Sequence, residues 1–125
     1  MIHITLEGDP TRSYELYGLV NRILAELGLP GAQELTITCH DHACDCAGAT
    51  GRMSRKDGRY HIDVWYVGAP RDWLGWHTMF KVILRHELAH YAARVTHRPI
   101  TEEMAEDFGW AFCDPWIRYE MEVMK

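Results

Sequence analysis

Basic charge is not in excess in this sequence: 13 Lys and Arg stand against 18 Asp and Glu, for a net charge of −5. Proteins that grip phosphate backbones carry a surplus of Lys and Arg, so nucleic acid is not an expected partner. Long apolar runs are missing too. No stretch of about 18 apolar residues offers itself as a membrane-spanning helix. The start, Met1-Ile2-His3-Ile4-Thr5, lacks the basic and then apolar pattern of an export signal. The cytoplasm is therefore the expected location, with no membrane among the partners. Cysteine is limited to four residues. They could form two disulfides, but without an export signal free thiols or a metal site are the expected uses. Repeats, low-complexity tracts and linkers are absent, and the length suits one core, so residues 1–125 are expected to form one domain.

What is present is an ordinary globular balance, 47% hydrophobic and 25% charged residues. Over residues 11–29, Leu16, Leu19, Val20, Ile23, Leu24 and Leu27 recur at helical spacing, and Gly28-Leu29-Pro30-Gly31 ends the run. Residues 35–39 and 60–67 alternate apolar and polar side chains, the second after a Lys56-Asp57-Gly58 turn signal, and are expected to be antiparallel neighbours. Over 77–96 a stripe of Phe80, Leu84, Leu88, Ala92 and Val95 predicts a central helix that Arg98-Pro99 stops. Thr101 then offers a cap for a further helix whose first turn carries Glu102 and Glu103, where the helix dipole favours carboxylates. Asp114-Pro115 breaks or restarts that helix before a segment at 116–124. The expectation is an α+β fold: an N-terminal helix, a small, mostly antiparallel twisted sheet, a central helix and an acidic C-terminal helix.

The chemistry concentrates in His86-Glu87-Leu88-Ala89-His90 on the central helix. Two histidines four apart stand one above the other on one helix face, so both imidazoles can reach one ion, and tetrahedral zinc accepts imidazole nitrogen at about 2.0–2.1 Å. Glu87 is offset around the helix, where it does not duplicate the ligands but can reach a water activated by the ion. It is the natural general base: it takes a proton from that water and returns it to the leaving amine of a cleaved amide. Such a short pattern also arises among ordinary core and surface histidines. Its place in mid-helix, the apolar opposite face and the acidic helix that follows favour the metal reading.

A catalytic site needs a third protein ligand, and Glu102, Glu103, Glu106, Asp107 and His97 are candidates. Glu102 is preferred, because Ala105 is small where a ligand helix must pack closely and Glu106 could orient a ligand histidine. Eleven residues separate His90 from the carboxylates' start, however, so a central helix that runs to Thr96 would favour Glu106 or Asp107. Glu103 with Asp107 repeats the spacing. His97 would sit roughly 10 Å along the axis from His90 on an unbroken helix, too far for the same ion.

This motif followed by a Glu-rich helix resembles the gluzincin branch of the zincin metallopeptidases, and the short chain resembles minigluzincins and other minimal single-domain members. The resemblance spans residues 77–112. It implies a zincin-like fold, His86 and His90 as zinc ligands, Glu87 as base and a third ligand on the following helix. It also implies that the last strand before the central helix, at 60–67, binds extended peptide by strand addition. Metzincins differ, since Ala93 stands where their turn glycine belongs and His97 falls one position after their third histidine. Leu88-Ala89 is similar to SprT-like proteases, whose third-histidine arrangement is not evident here.

The segment Cys39-His40-Asp41-His42-Ala43-Cys44-Asp45-Cys46 has ligands enough for a second metal, with Cys39, Cys44 and Cys46 as thiolates, though without paired Cys-x-x-Cys spacing. Reduced thiols, or a thiolate that blocks the catalytic metal, are the competing readings. Trp65, Tyr66, Trp73, Trp76, Tyr91, Trp110 and Trp116 are expected mainly in core or rim packing. Tyr60, His61 or Tyr66 could donate to a tetrahedral oxyanion, and no spacing selects one. Two function classes follow: a zinc metalloendopeptidase acting on a peptide or protein substrate, and a non-proteolytic zinc-containing module that binds a protein partner. DNA-associated proteolysis would require a basic stripe that the sequence does not have.

Overall fold

Eight elements succeed one another in the computed structural model, which describes residues 2–7, 13–30, 33–40, 42, 50–65 and 78–123. They are β1 (Ile2–Leu6), α1 (Ser13–Glu26), β2 (Leu35–His40), β3 (Gly51–Lys56), β4 (Arg59–Trp65), α2 (Thr78–Thr96), α3 (Glu102–Trp110) and α4 (Pro115–Val123). The fold is α+β. Expectations that fall on Cys44, Cys46, Tyr66, Trp73 and Trp76 lie outside the described residues. No helix among the described residues is long and apolar enough to cross a membrane.

The sheet order is β1-β2-β4-β3. β1 and β2 pair in parallel, as do β2 and β4, and only β3 and β4 are antiparallel. The expected antiparallel pairing of 35–39 with 60–67 is thus corrected. The connections explain why. α1 lies between β1 and β2 as a crossover, and β3 between β2 and β4 returns the chain so that β4 enters beside β2 in the same direction. The β3–β4 hairpin closes over Asp57 and Gly58, both at positive φ (54° and 76°), a two-residue turn that matches the strand twist.

Strand alternation sends Leu35, Ile37 and Cys39 of β2 and Ile62 and Val64 of β4 to one face, all at most 1% exposed. There they pack with Leu16, Val20, Ile23 and Leu24 of α1 and with Phe80, Leu84, Leu88 and Tyr91 of α2 in one core. Burial of each such aliphatic or aromatic side chain is worth about 1.5–3 kcal/mol. Arg85 is the buried exception on α2, 6% exposed. Its guanidinium lies 4.1 Å from the Phe108 ring centroid, donates from Nε to the Phe108 carbonyl at 3.0 Å and pairs with Glu26 at 2.6 Å. It thereby ties α1, α2 and α3 together with its charge satisfied.

Thr101 caps α3: its hydroxyl accepts from the Met104 N–H at 3.1 Å, and Glu102 and Glu103 follow in the first turn. α3 then runs back along α2 at close range. Ala105 is fully buried, and a Cβ on Gly109 would stand 2.9 Å from the Val82 carbonyl oxygen. Small residues at these two positions let the acidic helix approach the histidine face of α2.

Candidate metal centre

α2 does run to Thr96, the condition expected to favour Glu106 or Asp107 as third ligand, yet Glu102 is the carboxylate that meets both histidines. The turn is the reason. His97 adopts φ 56°, and Arg98 N–H reaches back to the Ala93 carbonyl at 3.0 Å, so the chain reverses at once and five residues return it to α3. His97 is exposed and serves as the helix terminator, away from the other histidines.

Glu102 Oε2 stands 3.1 Å from His86 Nε2 and Glu102 Oε1 stands 2.8 Å from His90 Nε2. The two imidazole centroids are 5.0 Å apart. One ligand atom from each of His86, His90 and Glu102 falls within 4.8 Å of the others. Ligands about 2.05 Å from a tetrahedral ion stand roughly 3.3 Å apart, so these three side chains are within reach of one zinc. Glu103 is exposed and outside this group, and Asp107 is paired with Arg118 at 3.0 Å.

One atom tests the fit of a cation. His90 Nε2 is buried and makes no hydrogen bond, because Glu102 Oε1, though 2.8 Å away, is out of hydrogen-bonding alignment. A buried polar atom left in that state costs about 1–3 kcal/mol, and a shared cation would satisfy it together with the carboxylate.

Glu106 acts on His86 from behind. Its Oε2 lies 2.8 Å from Nδ1, and since an ionised carboxylate only accepts, Nδ1 donates to it while Nε2 stays turned toward Glu102. Trp110 Nε1 donates to the other Glu106 oxygen at 2.9 Å and fixes the carboxylate in turn. The carboxylate four residues after Glu102 therefore holds the orientation that its spacing suggested. Glu106→Gln should weaken zinc affinity at this site roughly 10–100-fold with the fold kept, measured by competition against a chromophoric chelator.

Glu87 is half-buried and faces a cleft of about 660 Å³ that His86, His90, Glu102, Arg52, Met53 and Ile83 also line. Burial pushes its carboxyl above the usual carboxylate range, with the nearby His86 opposing and Glu102 adding to the rise. β3 passes directly over it. A Cβ at Gly51 would stand 2.9 Å from Glu87 Cγ and from Ile83 Cγ2, and 3.0 Å from Glu87 Oε1, so only glycine fits there. Sequence reasoning did not single out Gly51 or β3. The strand's Arg52, Ser54, Arg55 and Lys56 present no apolar alternation, and a glycine before them reads as turn.

Other expected residues fall elsewhere. Cys39 points into the core, 1% exposed, and burial pushes its thiol up, with Asp63 and Glu7 adding to the shift. Among the described residues it joins neither of the groups that could hold a metal. Tyr60 packs edge-on against Tyr91 at 5.5 Å, and neither it nor His61 lines the cleft. Tyr91 is in the core and Trp65 and Trp110 are buried, whereas Trp116 is 68% exposed. Comparison with protein-family models, with curated proteins and with solved structures finds no match.

Proposed function

We propose that this chain is a zinc-dependent metalloendopeptidase. One observation carries the reading: Nε2 of His86, Nε2 of His90 and the Glu102 carboxylate converge on one point while Glu87, on the same helix, faces the cleft beside them without joining the group. That is a ligand set with one open position and an acid–base group at its edge. Zinc held there supplies Lewis acidity, polarising a scissile carbonyl and making water a better proton donor.

The protein's own groups do the rest. Glu87, half-buried at the edge of the ligand group and facing the cleft, accepts the proton of the attacking water and passes it to the leaving amine. Glu106 and Trp110 hold the His86 ring in the orientation that turns Nε2 toward Glu102. An extended peptide would lie along β3. The strand expected for that role, at 60–67, is an inner one, since β4 is bonded on both sides, to β2 and to β3. Among the described residues β3 is the edge strand on this side of the sheet, and its Gly51, Arg52 and Met53 border the cleft, so a substrate strand added to it would pass Glu87.

Hydrolysis of a quenched peptide library should disappear on incubation with a zinc chelator and return on adding zinc after the chelator is removed. Hydrolysis that survives full chelation would contradict the proposal.

A further inference from the structure

Side chains that alternate with the core residues face the opposite side of the sheet, and at the C-terminal ends of its parallel strands they gather into a further group. His40, the last residue of β2, lies between two carboxylates: Nε2 is 2.9 Å from Asp63 Oδ1 on β4, and Nδ1 is 3.0 Å from Glu7 Oε1, just past β1. His42 brings its Nε2 to 3.6 Å from the other Glu7 oxygen, and the two imidazole centroids stand 5.3 Å apart. One ligand atom from each of Glu7, His40 and His42 lies within 4.8 Å of the others. Trp65 stacks on the His40 ring at 4.8 Å and 11°, and Arg52 pairs with Asp63 at 3.8 Å, so His40 is held in place from both sides.

We propose that Glu7, His40 and His42 form a second divalent-cation site, separate from the cleft, that takes zinc or a similar borderline metal. The donor set, two imidazoles and one carboxylate, suits such an ion. One Glu7 carboxylate reaches both imidazoles, Oε1 to His40 Nδ1 at 3.0 Å and Oε2 to His42 Nε2 at 3.6 Å, so the three side chains are within reach of one ion. The layout also repeats the first site. There Glu106 holds one ring nitrogen of His86 and leaves the other facing Glu102. Here Asp63 holds Nε2 of His40 and leaves Nδ1 facing Glu7. A carboxylate behind a histidine raises its basicity and fixes its ring for metal binding.

The ligands come from three places along the chain: the end of β1, the end of β2 and the residue two beyond it. Asp63 adds β4. An ion bound here would fasten neighbouring parallel strands where their ladders stop, and because the unfolded chain does not hold these groups together, binding would stabilise the fold by mass action. Its role is architectural, since Glu87 lies on the helix side of the sheet.

The test uses the full chain carrying His86→Ala, which disables the cleft site, with zinc alone as the probe. After zinc loading and gel filtration, elemental analysis should find about one zinc per chain, and the thermal midpoint should rise with added zinc. Adding Glu7→Gln or His42→Ala to this chain should abolish both effects. These side chains are partly exposed, so the variants should keep the circular dichroism of the parent even if a His40 variant does not fold. Asp63→Asn should weaken zinc binding roughly 10–100-fold. A folded His86→Ala chain that holds no zinc would overturn the proposal and leave a histidine bridging two carboxylates. Zinc retained equally after Glu7→Gln and His42→Ala would overturn it as well.

Discussion

Glu87→Gln should lower peptide hydrolysis by about 10²–10⁴-fold while zinc content and thermal midpoint stay at wild-type values. Glutamine keeps the size and shape of the side chain, so Ile83 and Gly51 keep their neighbour. It cannot accept the proton of the attacking water. Because Glu87 stands outside the ligand group of His86, His90 and Glu102, metal should remain bound. Removing a half-buried charge also removes a desolvation cost, so the fold should not suffer. Initial rates on a peptide substrate, taken beside elemental zinc analysis, check both halves. A rate unchanged by the substitution would remove Glu87 as base and turn the reading toward a zinc-containing module that binds protein without cutting it. Loss of zinc would make Glu87 a ligand instead.

Gly51→Ala should lower kcat by about 10²-fold with zinc retained. The added methyl would enter the space of Glu87 Cγ and Ile83 Cγ2, each only 2.9 Å from its position, so either the strand or these side chains must shift. Either the strand lifts or the Glu87 carboxylate swings away, and a displacement near 1 Å of a positioned catalytic group costs on the order of 10²-fold. Overpacking of this kind should also cost about 1–3 kcal/mol of stability, seen as a lower denaturant midpoint at unchanged slope. The zinc ligands lie on α2 and α3 and should be spared. A Gly51→Ala chain with wild-type kcat would show that β3 does not set the position of Glu87.

The elements carried by strong local periodicity were legible in the sequence. The stripes Leu16 to Leu24 and Phe80 to Leu88 gave α1 and α2, and Thr101 gave the start of α3, because each signal lies within a few residues. β3 was not legible, since an edge strand need not alternate and its burial pattern is mostly exposed. Nor was the parallel pairing of β2 with β4, because pairing direction depends on where the chain travels between strands and not on either strand's residues. Arg85 reads as polar in a helix that is otherwise apolar, and only the arrival of Phe108 and Glu26 from other helices explains its burial. At the candidate centre, His86, Glu87 and His90 follow from helical spacing alone. Glu102 was preferred from the spacing of Ala105 and Glu106, but its meeting both histidines while α2 runs to Thr96 depends on the turn at His97, whose positive φ no motif announced. In the group at Glu7, His40 and His42, the two histidines lie in the segment that its ligand-rich composition marked for a second metal, whereas Glu7 and the supporting Asp63 come from distant parts of the chain that no spacing could have joined to it.

Zinc bound per chain, measured by elemental analysis on wild type and His86→Ala after identical loading and gel filtration, tests the central claim most directly. The substitution should remove one equivalent from a chain that stays folded. Equal zinc in the two folded proteins, or none in wild type, would contradict it.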